Sequence, residues 1–256
     1  MKPKIKIALD RNQLCRIAAG LILDLAKQAV RARKQCTLAL SGGSTPEDLY
    51  KLLADDAKLR EQFPWESAYF FWGDERHVPP DHKNSNYRMA NEAMLRKVSV
   101  PEGNVYRIRS EDPNAGRAAR NYERELRRFF KLGPARFPRF DIVLMGLGPE
   151  GHTASLFPGT KALHEKKRLV VSNWVGKFYT DRITMTPALF NRAANVVFLV
   201  SGDEKAIPVK AVLEGKYEPE QLPAQLVHPA KGTLLWLLDK AAAKFLGKEV
   251  SESPVS

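Results

Sequence analysis

Cysteine is scarce in this sequence: two residues in 256, Cys15 and Cys36. Two thiols cannot supply the dense cross-links of small secreted domains, nor a four-ligand zinc site by themselves. Histidine is scarce too. The five residues His77, His82, His152, His164 and His228 show no metal-ligand spacing, and neither His-Glu-x-x-His nor Cys-x-x-Cys occurs, so no metal is expected. There is no apolar run of about 18 residues and hence no membrane span. The start, Met1-Lys-Pro-Lys-Ile-Lys6, lacks the apolar stretch of a signal peptide. A cytoplasmic chain without a membrane partner is expected. Gly-x-x-x-x-Gly-Lys-Ser/Thr and Gly-x-Ser-x-Gly are both missing, which removes a Walker-type nucleotide loop and a serine-nucleophile elbow.

Negative charge is in short supply as well. Lys and Arg number 41 against 29 Asp and Glu, a net charge of +12, and such an excess attracts anions: phosphorylated metabolites, nucleic acid or acidic membranes. Half of that excess lies between Arg117 and Arg139, where eight basic residues face two acidic ones. Arg117, Arg120, Arg124, Arg127 and Lys131 recur at helical spacing opposite Ala118, Ala119, Tyr122, Leu126, Phe129 and Phe130. No aromatic platform is interleaved with the charges, so the stripe reads as a solvated helix face and no nucleic-acid partner is expected.

With 44% apolar and 27% charged residues, the composition is that of a globular protein. The length suits a single domain over residues 1–250 with a flexible tail, 251–256. Apolar strand-like runs alternate with helical periodicity: Lys4 to Leu9, Thr37 to Leu40, Tyr69 to Trp72, Phe140 to Met145, Leu169 to Val171, Arg182 to Thr186, Asn195 to Val200 and Thr233 to Leu237. Asp10 with Gln13 predicts a capping box opening a helix. Ser44 or Thr45 is expected to cap the next helix, with Pro46 in its first turn. Further helices are predicted over about 86–97, along the basic stripe, and over about 241–246. This alternation implies an α/β fold, a mostly parallel open sheet with helices on both faces, whose ligands bind at the carboxyl ends of the strands.

Three turns end strands and bear chemistry. In Ser41-Gly-Gly-Ser-Thr-Pro46, glycines allow close backbone approach and a helix N-terminus offers free N–H donors; it is either a phosphate cradle or a plain capped turn. Asp74-Glu75-Arg76 puts two carboxylates and a guanidinium at a strand end, as part of a site or as a surface ion cluster. Gly146-Leu-Gly-Pro-Glu-Gly151 matches Gly-x-Gly-x-x-Gly. Against a dinucleotide fingerprint, Pro149 donates no N–H, Pro158 and Gly159 cut the helix short, and no acidic residue ends the next strand. His152 follows that turn beside Glu150. An imidazole there is either a proton carrier or a locally satisfied side chain.

Six segments taken in order, Leu40 to Pro46, Phe71 to Pro79, Ser85-Asn-Tyr87, Gly146 to Pro158, Arg182 to Thr186 and Gly202-Asp-Glu-Lys-Ala206, resemble the 6-phosphogluconolactonases, within the broader group that includes the glucosamine-6-phosphate deaminases. The resemblance runs over about residues 5–245. Deaminases carry Asp-Glu-Tyr where this chain has Asp74-Glu75-Arg76, and their histidine motif continues differently. The resemblance implies a Rossmann-like fold of the sugar-phosphate isomerase type and hydrolysis of 6-phospho-D-glucono-1,5-lactone, the second step of the oxidative pentose phosphate pathway, by a monomer without cofactor. It implies His152 as general base, Glu150 (commonly Asp in lactonases) as its orienting partner, and Arg76 or backbone N–H groups on the oxyanion. Gly42, Gly43, Ser44, Thr45, Asp74, Lys177, Arg182 and Lys205 would bind substrate, with Gly43, Ser44, Thr45, Arg182 and Lys205 on its phosphate. The competing readings are an isomerase or deaminase in which Asp74 shuttles a carbon-bound proton, and a basic nucleic-acid-binding module.

Overall fold

Strands that are apolar almost throughout must be covered on both faces, and three such strands form the centre of the structure, a computed structural model describing residues 3–247. Within those residues the chain forms, in order, β1 (Lys4–Ala8), α1 (Arg11–Arg33), β2 (Cys36–Leu40), α2 (Ser44–Asp55), α3 (Ala57–Gln62), β3 (Ala68–Trp72), β4 (Asp74–Arg76), α4 (Asn86–Ala93), β5 (Val105–Tyr106), α5 (Ala115–Phe129), β6 (Ile142–Met145), β7 (Val170–Val175), β8 (Thr180–Met185), α6 (Pro187–Phe190), β9 (Asn195–Val200), α7 (Ala206–Glu214), β10 (Thr233–Asp239) and α8 (Lys240–Ala243). Seven strands make one parallel sheet in the order β1-β10-β9-β6-β2-β3-β5. β2 and β6 are buried along their whole length, and β9 along all but its first residue. The expected α/β fold with a mostly parallel sheet and helices on both faces is what these strands build.

Buried hydroxyls tie helices to strand ends. The Tyr50 hydroxyl on α2 donates to Ser41 O and accepts from Ser41 N, both at 2.9 Å, at the exit of β2. Tyr122 on α5 does the same at the end of β3, donating to Trp72 O at 3.2 Å and accepting from Trp72 N at 2.9 Å. On α5, Ala118, Ala119, Tyr122 and Leu126 are buried, while Arg117 pairs with Asp112 and Arg127 with Glu123. The basic stripe is the solvent side of an amphipathic helix.

A second sheet, β4-β8-β7, is antiparallel, and the sequence pattern does not announce it. The expected turn over residues 73–77 contains β4, whose three polar residues Asp-Glu-Arg carry no alternation and are strand only because β8 pairs with them. Gly73 joins the two sheets: its N–H donates to Leu40 O at 3.0 Å and its carbonyl accepts from Met185 N at 2.8 Å.

Helix boundaries differ from expectation where local backbone intervenes. The capping box expected at Asp10 forms in a shifted version: Gln13 N donates to Asp10 Oδ1 at 2.8 Å, while Gln13 Oε1 accepts from Leu9 N, one residue before the cap, instead of from Asp10 N. Neither Ser44 nor Thr45 caps α2; Gly43 takes the cap position at φ +108°, without a side-chain bond, and Ser44 becomes the first helical residue. The helix expected over 86–97 stops at Ala93, since Met94 adopts φ −139°, and resumes as a short 3₁₀ turn, Leu95–Lys97. The last helix begins at Lys240, capped by Asp239. The tail 251–256 lies outside the described residues.

Candidate active site

β2 and β6 are adjacent, but the chain leaves them in opposite directions. From β2 it proceeds outward to β3 and β5; from β6 it proceeds to β9 and β10. Loops that part in this way open a crevice above the carboxyl ends of the strands. The turns after β2 and β6 line one cleft there with Asp74, Arg76, Ser201 and Lys205. The three strand-end turns of the sequence therefore converge.

Of the residues singled out from sequence, Gly42, Gly43, Ser44, Thr45, Asp74, Arg76, His152 and Lys205 line this cleft. Glu150, Lys177 and Arg182 are not on its wall. Glu150 stands behind His152, and the Lys177 ammonium contacts Glu150 Oε1, so Lys177 meets the dyad instead of the substrate cleft. Arg182 pairs in register with Arg76 across β4 and β8. Burial, then the Arg76 charge, pulls the Arg182 pKa down, and its Nε is buried without a partner.

His152 is held on three sides. Its Nδ1 lies 2.9 Å from Glu150 Oε2, its ring stacks on Phe157 with centroids 4.0 Å apart, and Gly148 N donates to its carbonyl at 2.8 Å. Gly151 at φ +70° makes the turn, backed by Leu222, whose Cδ2 leaves no room for a side chain there. A carboxylate on Nδ1 selects the tautomer with the proton on that nitrogen, leaving the Nε2 lone pair free. Burial is the largest influence on the imidazole and lowers its pKa against the opposing pull of Glu150 and Asp74, with Lys205 adding to the fall. The ring is therefore neutral at pH 7, the form a general base requires.

The cleft wall also carries groups that can meet an anion. α2 begins at Gly43, and first-turn N–H groups lack intrahelical partners. Ser44 and Thr45 supply such donors, while Pro46 has none to leave unpaired. Lys205 arrives from the loop after β9. Buried Asp239 fixes that loop, accepting from the Ser201 hydroxyl and from Gly202 N at 3.1 Å.

Three contributors stood within motifs noted in the sequence but were given no role of their own there. Asn86 lines the cleft, and its Nδ2 donates to Asp74 O at 2.9 Å; its side chain fills the space where a Gly42 side chain would stand. Ser155 donates to Asp74 Oδ2 at 2.6 Å. Glu75, 1% exposed, accepts from Arg76 N, Asn86 N, Tyr87 N and the Ser85 hydroxyl at 2.7–3.0 Å. Ser85-Asn86-Tyr87 and Ser155 lie within the motifs that carried the resemblance, and that was the available signal. Asp74-Glu75-Arg76 is thus an organised corner and not a surface ion cluster.

Among the described residues no three His, Cys, Asp or Glu are grouped to hold a metal, and no helix is long and apolar enough to cross a membrane. Burial raises both thiols, that of Cys15 to about 11, so neither is a ready nucleophile.

Three comparisons bear on this arrangement. The family described as glucosamine-6-phosphate isomerases/6-phosphogluconolactonase matches residues 9–236. A 6-phosphogluconolactonase of Synechocystis sp. is 41% identical over 96% of this chain and 99% of its own, and one of Nostoc sp. is 39% identical over 94% and 98%. The structure of 6-phosphogluconolactonase from Trypanosoma brucei superposes with a TM-score of 0.85 at 31% identity, covering 96% of this chain and 99% of that one.

Proposed function

The chain belongs to the glucosamine-6-phosphate isomerase/6-phosphogluconolactonase family, and we propose that it hydrolyses 6-phospho-D-glucono-1,5-lactone to 6-phospho-D-gluconate, with His152 as general base. The observation that carries this reading is one cleft lined by two unlike features: a carboxylate-oriented imidazole, and a free helix N-terminus with Lys205. The lactone has two matching groups, an activated ester at C1 and a phosphate dianion at C6.

His152 Nε2 takes a proton from water as the water oxygen bonds to C1. The carbonyl electrons move onto oxygen, and Arg76, whose Nη1 is braced on Asn84 O, together with backbone N–H groups of the glycine turns, offsets the charge. When the carbonyl re-forms, the bond from C1 to the ring oxygen breaks, and the imidazolium returns its proton to that oxygen. Glu150 keeps the ring oriented and stabilises its charged form between the two transfers. Gly43, Ser44 and Thr45 cradle the phosphate and Lys205 neutralises it as a point charge. Arg182 adds a second guanidinium beside Arg76. Gly42 admits Asn86, and Asn86 and Ser155 hold Asp74 at the sugar. The lactone is the partner, one chain supplies every group named, and no step calls for a metal, an organic cofactor or a nucleic acid.

The test is lactone hydrolysis, corrected for spontaneous opening, in the wild type and in His152→Ala and His152→Gln. A loss of about 10²–10⁴-fold with the fold intact is expected; near-wild-type turnover in a folded variant would end the general-base assignment.

A further inference from the structure

The hairpin joining β7 and β8 reaches back to the His152 turn. Its tip is a tight turn, Gly176–Phe178, closed by Tyr179 in the left-handed region at φ +47°. Two consecutive side chains of this turn engage the dyad by separate routes. The Lys177 ammonium contacts Glu150 Oε1, while the other oxygen of that carboxylate meets His152 Nδ1 at 2.9 Å. The Phe178 ring packs edge-on against Phe157 at 5.8 Å, and Phe157 carries the imidazole on its face. Lys177 and Arg182 both lie over the Phe178 ring, at 5.6 and 5.3 Å.

We propose that Lys177 is a positioning residue of the general base: it fixes the Glu150 carboxylate by one oxygen so that the other orients His152, and Phe178 steadies the same assembly through Phe157. This rests on the lactonase reading and deepens it, since the reaction itself requires no lysine at this place. A carboxylate alone would rotate between the ring and solvent. Held at one oxygen, it offers the other in a single direction, and an orienting carboxylate is useful only if its own geometry is restrained.

The bridge also sets how strongly the ring holds a proton. The charged groups facing His152 are Glu150, Asp74 and Lys205. Those facing Glu150 are Lys177 and His152; burial works to raise the Glu150 pKa, and the bonds from Lys177, its own backbone and His152 outweigh it, so the net shift is downward. Removing the Lys177 cation takes a positive charge from the neighbourhood of the imidazolium, and this through-space change favours the protonated ring, so its pKa rises; the released carboxylate presents an oxygen to Nδ1 for less of the time, which limits the rise and lowers the plateau rate. The ammonium is partly in solvent, which keeps the change modest.

The experiment compares wild type, Lys177→Met, Lys177→Arg, Glu150→Gln and the Lys177→Met/Glu150→Gln double variant. One readout is the NMR titration of the His152 ring, assigned by its loss in His152→Gln. The other is kcat/KM for the lactone against pH. Lys177→Met is expected to raise the His152 pKa by about half a unit or more and move the acid limb up with it, Lys177→Arg to restore wild-type behaviour, and the Lys177→Met shift to shrink when Glu150 is Gln. A folded Lys177→Met whose ring titrates as in wild type overturns the proposal. So does a uniform loss of kcat/KM with an unmoved limb, which would assign Lys177 to the substrate. A wild type that does not hydrolyse the lactone defeats the functional reading alone, because the ring titration still decides the role of Lys177.

Discussion

Gly148 leaves the space that His152 fills: a Cβ on Gly148 would overlap the imidazole at Cε1, Nδ1 and Nε2. The middle glycine of the Gly146–Gly151 turn thus serves the ring and not a nucleotide. Gly148→Ala is expected to push the ring off Glu150 and Phe157. Misplacement of about 1 Å can cost roughly 10²-fold in rate, so kcat should fall by that order with little change in thermal stability. Unaltered kcat in a folded variant would show that the ring has another productive position.

Glu150 is expected to act on His152 through charge. Glu150→Gln keeps the size, removes the charge and leaves the Lys177 ammonium beside the ring, so the imidazolium loses its stabiliser and the His152 pKa falls. A general base works in its neutral form. The acid limb of kcat/KM should therefore move to lower pH while the plateau drops. Glu150→Asp should retain the charge and much of the activity. A Gln variant equal to wild type in both limb and plateau would reduce Glu150 to a turn residue.

Lys205→Ala and Arg182→Ala separate the two cationic positions. A charge-assisted bond to phosphate lost with Lys205 is worth about 1.5–3 kcal/mol, or roughly a 10- to 100-fold rise in KM with smaller change in kcat, and Arg182, off the cleft wall beside Arg76, gives the same result only if its guanidinium reaches the phosphate. Inorganic phosphate should compete with substrate in wild type and much less in Lys205→Ala. Competition undiminished in Arg182→Ala would confine the phosphate to Lys205 and the α2 N-terminus.

Glu75 supports the corner that presents Arg76 and Asn86. Burial raises its pKa against four donors, so the folded state holds this proton more tightly than the unfolded one does. Its contribution to stability is then fullest below the ordinary carboxyl range and declines as pH rises through the raised pKa. Glu75→Gln removes that slope and turns an accepting oxygen into a donor facing donors, a net destabilisation of about 1–3 kcal/mol at neutral pH. Urea unfolding from pH 4 to 7 checks both; a wild-type slope retained in the Gln variant would assign the pH dependence to another group.

Local sequence determined those parts of the protein whose physics is local. Short apolar runs between turn residues, such as Ile142–Met145, read as doubly covered strands, Asp10 caps α1 through Gln13 N within four residues, and the glycine turns after β2 and β6 were visible as places where backbone can meet a ligand. The His152–Glu150 pair was legible because two residues on one turn have few ways to sit. Tertiary structure decided what depends on partners far along the chain. β4 is a strand because β8 supplies its hydrogen bonds, not because Asp-Glu-Arg prefers one. The cap of α2 is Gly43 and not Ser44, in a turn whose preceding residue, Ser41, is bonded to Tyr50 of the same helix. Lys177 and Arg182 carry the same kind of charge in the sequence, yet the antiparallel register sets one against Glu150 and the other beside Arg76. A side chain's type specifies what it can bind; which partner it meets is settled by strand order and register, where each contact is one term in a cooperative packing of the whole sheet.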